Sequence, residues 1–172
     1  MAKNIALIGF MGTGKSSVGK ELAKKLGREH VDIDALIEKV QKKKVAEIFE
    51  GPGEAAFRRL EKETILSVSR REGLVITTGG GAVLDPQNLA ALREKGVVIC
   101  LAASPETIFK RVKHSPHRPL LLGEDRLGQI RRLLETRRPF YSQSDGLFET
   151  DGLTPSQVAV SILEFLKEKH WE

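Results

Sequence analysis

Gly9-Phe10-Met11-Gly12-Thr13-Gly14-Lys15-Ser16 decides how this chain is read. The stretch matches G-x-x-x-x-G-K-[ST], the phosphate-binding P-loop. Its flanks agree with that reading. Residues 5–8 form a short apolar run before it, and Val18, Leu22 and Leu26 recur at helical spacing after it, with Gly27 as the stop. Glycines carry no Cβ, so the backbone can approach phosphate oxygens closely. Amide N–H groups and the positive end of the following helix then favour an anion. The motif predicts that Lys15 reaches the β/γ-phosphates of ATP and that the Ser16 hydroxyl holds Mg²⁺. The alternative, a glycine-rich turn that binds nothing, gives no packing reason for Lys followed by Ser. Gly12, Thr13, Gly14, Lys15, Ser16 and Ser17 are the candidate nucleotide contacts.

Outward from this loop, short β-branched runs alternate with amphipathic helical stretches, the signature of an α/β fold with a parallel sheet. Further strands are predicted at 31–33, 74–77, 97–101 and, weakly, 147–150. Leu36, Ile37 and Val40 mark a helix, and Gly51-Pro52-Gly53 breaks the chain. A longer helix follows over about 54–71, with Phe57, Leu60, Thr64 and Val68 toward the core. Asp85-Pro86 and Ser104-Pro105 each pair an N-cap with proline at the first helical position. Thr154-Pro155-Ser156-Gln157 has capping-box spacing. From His114 to Asp125 periodicity is lost and Pro, Gly and charge gather, at a length that marks functional loops.

The 172 residues amount to one domain, and 40% apolar with 30% charged residues suits a folded globule. A single cysteine excludes an intrachain disulfide; inside the apolar run 97–101, Cys100 reads as a small buried hydrophobe, not a nucleophile. No apolar run approaches the roughly 20 residues of a membrane span. The beginning of the chain lacks a secretory pattern. A cytoplasmic protein with no membrane partner is expected. The net charge of +5 suits small anionic ligands, and 5% aromatics weighs against single-stranded nucleic acid, so no nucleic-acid partner is expected. Lys42-Lys43-Lys44 reads as a solvated face.

A metal held beside a P-loop needs a carboxylate. The runs 74–77 and 97–101 end in Thr78-Gly79 and Ala102-Ala103, and neither offers one. Asp32 and Asp34 follow the second strand, and two residues apart on an extended chain they face the same side. One would serve the Mg²⁺ shell and the other an acceptor. The alternative makes Asp34 a helix N-cap and leaves Asp32 solvated. Farther on, Glu54, Arg58 and Glu61 share one helix stripe. By the residues alone this reads first as an exposed ion-pair ladder. In the sharper alternative, Arg58 forks onto a substrate carboxylate and Glu61 orients it. Gly79-Gly80-Gly81, at the strand end where open α/β sheets bind ligands, supports the sharper one; a flexible turn is the alternative there.

Across essentially its whole length the chain resembles the shikimate kinases. The resemblance rests on the P-loop, Asp32-x-Asp34, Gly53-Glu54-x-x-Phe57-Arg58-x-x-Glu61, Thr78-Gly79-Gly80-Gly81, Arg118-Pro119-Leu120-Leu121 and Arg137-x-Pro139-x-Tyr141, in that order. It implies a nucleoside monophosphate kinase-like P-loop fold, with a five-stranded parallel sheet in order 2-3-1-4-5 flanked by helices. It also implies a single kinase domain over 1–172, with a lid at about 113–125 and an acceptor-binding segment at about 33–61. The implied reaction moves the ATP γ-phosphate to the 3-hydroxyl of shikimate, in the pathway to chorismate and the aromatic amino acids, with Mg²⁺ and a monomeric enzyme. Carried over by position, the catalytic set is Lys15, Asp34 and Arg118, with Arg118 closing over the γ-phosphate. Asp34, Arg58, Glu61, Gly79, Gly80, Gly81 and Arg137 form the shikimate site, its carboxylate taken by Arg58 and Arg137. Ser16 and Asp32 fall to the metal, and Arg111 and Pro155 flank adenine. One departure from the family pattern is Ser144-Asp145-Gly146, where an alanine-aspartate pair is usual.

Three other readings have less support. A gluconate kinase of the same fold leaves Arg58, Arg137 and the Asp32-x-Asp34 pair unexplained. A GTPase switch lacks its N-K-x-D signature, and a non-catalytic module has no use for Lys15, Ser16, Asp32 and Asp34 together.

Overall fold

A computed structural model describes residues 3–113 and 125–171. Its centre is β1 (Asn4–Gly9), every residue of which is buried. β2 (His30–Asp32), β3 (Val75–Thr77), β4 (Gly96–Ala102) and β5 (Gly146–Glu149) complete a five-stranded sheet in the order β2-β3-β1-β4-β5. All four pairings are parallel, with Ile5 opposite both Val75 and Val97. This is the expected order. Helices cover both faces, which is why β1 and β4 read as nearly continuous apolar runs. Alternate residues feed two cores: Ile5, Leu7, Val97 and Ile99 point to one, Ala6, Ile8, Val98 and Cys100 to the other.

α1 (Lys15–Leu26) and α8 (Pro155–Glu168) close the first face through Val18, Leu22, Ile162 and Leu166. The other face is covered by α2 (Ile33–Gln41), α3 (Val45–Glu50), α4 (Glu54–Ser69), α5 (Pro86–Glu94), α6 (Pro105–Val112) and α7 (Arg126–Tyr141). The expected caps form: Asp85 accepts from the Gln87 amide, Ser104 from Thr107, and Thr154 and Gln157 make a reciprocal capping box. No helix of the described residues is long and apolar enough to cross a membrane.

Several boundaries differ from expectation. β2 ends at Asp32, and Ile33 already opens α2, because Asp32 accepts the Ala35 amide and caps that helix. The helix α3 was not read from sequence; its six residues are too few to show a period. Val40 on α2 is 66% exposed, so it does not join the core. On α4 the buried positions are Phe57, Glu61, Ile65, Val68 and Ser69, whereas Leu60 and Thr64 are half-buried. The weak β5 is secured at its start by Asp145, whose amide and carboxylate both bond to the backbone of Val98, at 2.7 and 2.8 Å.

Candidate active site

The P-loop leaves β1 at Gly9 and turns into α1 through Gly14, whose φ of 94° is left-handed and therefore suits glycine. α1 starts with no side-chain cap and no acidic residue in its first turn. Its leading amides thus stay available to an anion, which the helix dipole favours. Lys15 is 9% exposed, its ammonium donating to the carbonyls of Gly9 and Phe10 at 2.8 Å each. Thr13 braces the loop from within through its hydroxyl on the Phe10 carbonyl at 2.8 Å.

Ser16 donates to Asp32 Oδ2 at 2.7 Å, and Thr77 donates to the same oxygen at 3.0 Å. Burial alone would raise the Asp32 pKa, but the bonds from Ser16, the Ala35 amide and Thr77 outweigh it and hold the carboxyl below its ordinary range. Asp32 is thus neither solvated nor paired with Asp34 along a strand; it caps α2, and Asp34 sits in the first turn of that helix. Asp34 shows the opposite behaviour. Burial, then the charge of Asp32, raise its pKa, against the pull of Lys15 and Arg58. Two neighbouring carboxylates driven apart in this way suit different tasks, one permanently charged and one able to take a proton.

The ladder on α4 is exposed only at its Glu54 end; Arg58 is half-buried and Glu61 is buried. Glu61 is 0% exposed and accepts from Arg58 Nη1 at 2.7 Å, while Arg58 also reaches Glu54 at 3.3 Å. Burial raises the Glu61 pKa in spite of Arg58. Arg137, on α7, is 5% exposed and lies with its guanidinium carbon 5.5 Å from the centre of the Phe10 ring. Asp34 Oδ1, Glu61 Oε1 and Arg137 Nη1 are buried and have no hydrogen-bond partner among the described residues. An unsatisfied buried polar group costs about 1–3 kcal/mol, so such atoms gathered at one place point to a ligand.

The glycine turn threads between these groups. A Cβ on Gly79 would fall 2.9 Å from Glu61 Oε1 and 3.0 Å from Asp34 Oδ1. One on Gly81 would collide with the Arg58 guanidinium, and one on Gly80 would fall 3.1 Å from the Met11 amide nitrogen. Close approach therefore gives each glycine a use: Gly80 packs against the P-loop backbone, and Gly79 and Gly81 leave room for the side chains of Glu61, Asp34 and Arg58. A cavity of about 330 Å³ joins the two halves, lined by Gly12, Gly14, Lys15, Ser16, Ser17, Asp32, Asp34, Gly79 and Gly80 among others. Arg111 stands to one side, bonded to the Gly12 carbonyl at 3.1 Å and to both oxygens of Thr150 at 3.0 Å. It links the P-loop to the turn before Pro155, which opens α8.

Of the candidates, Gly12, Gly14, Lys15, Ser16, Ser17, Asp32, Asp34, Gly79 and Gly80 line this cavity, and Arg58 and Glu61 abut the glycine turn beside it. Thr13 is buried inside the loop, Arg137 packs on Phe10, Arg111 and Pro155 stand apart from the cavity, and Arg118 lies with the lid segment outside the described residues. Sequence reasoning missed Thr77 and Tyr141 as contributors. Tyr141 donates its hydroxyl to the Gly80 carbonyl, and burial pushes its pKa up to about 12, so it stays a donor. Thr77 is opposite Asp32 only in the β2–β3 register, which the linear sequence does not display. Cys100 is buried with its thiol pKa pushed up to about 12 by burial, in line with an inert packing role.

The donors Ser16 and Asp32 are hard oxygens, a set that fits Mg²⁺. Among the described residues no three His, Cys, Asp or Glu side chains converge.

Residues 11–167 match the family model described as Shikimate kinase. A shikimate kinase of Thermodesulfovibrio yellowstonii is 48% identical over 162 residues, 94% of either chain. One from Pelotomaculum thermopropionicum is 46% identical over 169 residues, 98% of either chain. Among solved structures, a shikimate kinase from Acinetobacter baumannii in complex with shikimate superposes with a TM-score of 0.96 at 34% identity, covering 100% of this chain and 97% of that one.

Proposed function

The chain belongs to the shikimate kinase family, and from that premise we propose how its residues divide the transfer of the ATP γ-phosphate to the 3-hydroxyl of shikimate. The observation that carries the reading is the shared cavity: the phosphate-binding loop and Asp34 line one space, and the glycine turn behind it abuts Arg58 and Glu61.

Lys15 and the first amides of α1 bind and align the β- and γ-phosphates. Ser16 and Asp32 would hold Mg²⁺, which when bound supplies positive charge against the phosphate oxygens. Arg111 and Pro155 flank adenine, with Arg111 locked in place by Thr150. Arg58 and Arg137 clasp the shikimate carboxylate, and buried Glu61 fixes the fork of Arg58. Held there, the acceptor presents its 3-hydroxyl to Asp34. The bond from that oxygen to the γ-phosphorus forms as the bond to the bridging oxygen of ADP breaks, and the hydroxyl proton passes to Asp34 Oδ1. A carboxylate raised toward neutrality by burial is a stronger base than an exposed one. Most of the acceleration comes from positioning and charge neutralisation. Arg118, by its place in the family motif, adds charge over the γ-phosphate from the lid, which excludes water. The whole chain serves as one monomeric kinase domain, working in the cytoplasm.

A coupled assay of ADP release with ATP and Mg²⁺ tests this. Turnover is expected to depend on shikimate. Equal rates without it, or a better rate with gluconate, would overturn the assignment.

A further inference from the structure

A chain of hydrogen bonds meets at Asp32, and two of its members, His30 and Thr77, have no part in the roles given above. His30 Nε2 lies 3.1 Å from Thr77 Oγ1, Thr77 Oγ1 lies 3.0 Å from Asp32 Oδ2, and Ser16 Oγ reaches that same carboxylate oxygen at 2.7 Å. A threonine hydroxyl has one proton. The Asp32 carboxylate accepts only, so that proton must point at Asp32, and Thr77 Oγ1 must accept from His30. The bookkeeping therefore requires His30 to carry a proton on Nε2. The direction of the chain is then set throughout: His30 donates to Thr77, Thr77 to Asp32, and Ser16 to Asp32 from the opposite side.

The packing around the chain is equally particular. Gly19 lies inside α1, where glycine costs about 1 kcal/mol relative to alanine. A Cβ there would fall 2.5 Å from Thr77 Cγ2 and 2.9 Å from His30 Nε2. The helix thus has a glycine where its surface meets this pair. Thr77 itself is 1% exposed and stands opposite Asp32 in the β2–β3 register. Its hydroxyl therefore cannot turn to water for a partner.

We propose that Thr77 is a positioning residue for the reaction: with His30 behind it, it holds the Asp32 carboxylate in the rotamer that faces Ser16, and so sets the metal-binding strength of that pair. This rests on the assignment of Ser16 and Asp32 to Mg²⁺. Partners of this kind, one step behind a metal ligand, change metal affinity by about 10–100-fold when removed.

The test measures ADP affinity by calorimetry, with and without Mg²⁺, in the native protein and in Thr77→Val, Thr77→Ser and Asp32→Asn. Valine keeps the shape of threonine and removes the hydroxyl; serine keeps the hydroxyl. Thr77→Val is expected to lose about tenfold of the Mg²⁺-dependent tightening. Its metal-free ADP affinity and its KM for shikimate should stay within about twofold, and Thr77→Ser should restore most of the loss. Nitrogen-15 NMR of the imidazole is expected to show His30 protonated at Nε2 in the native protein and shifted toward Nδ1 in Thr77→Val. Full tightening in Thr77→Val, alongside its loss in Asp32→Asn, overturns the proposal and leaves the metal assignment standing. Full tightening in Asp32→Asn overturns the metal assignment itself. A matching loss of metal-free ADP affinity in Thr77→Val, or no recovery in Thr77→Ser, reduces Thr77 to a packing role and also overturns the proposal.

Discussion

Tyr141, in the last turn of α7, donates its hydroxyl to the carbonyl of Gly80 at 2.7 Å. This bond ties the helix that carries Arg137 to the turn that faces the P-loop. Removing it leaves a carbonyl without its partner, at a net cost of about 1 kcal/mol. Tyr141→Phe is therefore expected to lower the melting temperature by about 2–4 °C. It should also raise the KM for shikimate several-fold, because Arg137 and Gly80 lose their common anchor. Calorimetric melting with a shikimate titration checks both. An unchanged melt would show that water replaces the phenol.

Asp34→Asn keeps the shape of the side chain and removes its ability to take a proton. A drop in kcat of about 10²–10⁴ is expected, the range for loss of a general base. ADP affinity should change little, since the proposed phosphate contacts, Lys15 and the α1 amides, are left in place. Single-turnover rates compared with equilibrium ADP binding separate the two effects. Turnover near that of the native protein would remove Asp34 from the proton transfer.

Charge-assisted hydrogen bonds are worth about 1.5–3 kcal/mol each. Arg58→Ala and Arg137→Ala should thus raise the KM for shikimate by about 10–100-fold while that for ATP holds. Gly81→Ala gives an independent check with both arginines present. Its new Cβ would fall 2.8 Å from Arg58 Cζ, and the flexible guanidinium would be displaced. The same selective loss is expected, with a melting temperature close to native. A matching loss of nucleotide affinity in any of the three would place these groups elsewhere.

Glu61 has a native pKa raised above its ordinary 4.5, chiefly by burial. Between the unfolded and native values the folded chain keeps a proton that the unfolded chain has released. Stability from this group is therefore complete below 4.5 and is lost as pH rises through the native value. Glu61→Gln cannot titrate. The melting temperature of the native protein minus that of Glu61→Gln should fall as pH is raised from 4.5 and then level off. A difference that grows with pH would mean that Arg58 dominates and the native pKa is depressed.

What the chain alone determined is local and chemical. The P-loop residues Gly9–Ser16 needed no partner to be read, because the glycines, Lys15 and Ser16 have one joint physical use next to a strand and a helix. Caps such as Asp85-Pro86 and Thr154–Gln157 were legible because a cap acts within four residues of itself. The sheet order came from family likeness; alternation alone implies only a parallel sheet. Tertiary structure decided the rest. Only the β2–β3 register sets Thr77 against Asp32, and only the packing of α4 turns Glu61 from a plausible surface charge into a fully buried one. Arg137 meets Phe10, and Tyr141 meets Gly80, across gaps in sequence that no periodicity spans. Local motifs carry their own hydrogen-bonding rule, whereas burial and long-range pairing depend on which surfaces the fold brings into contact. The phosphate-binding motif could therefore be read residue by residue, whereas the surroundings of Arg58, Glu61 and Arg137 became visible only once α4, α7 and the glycine turn had closed around them.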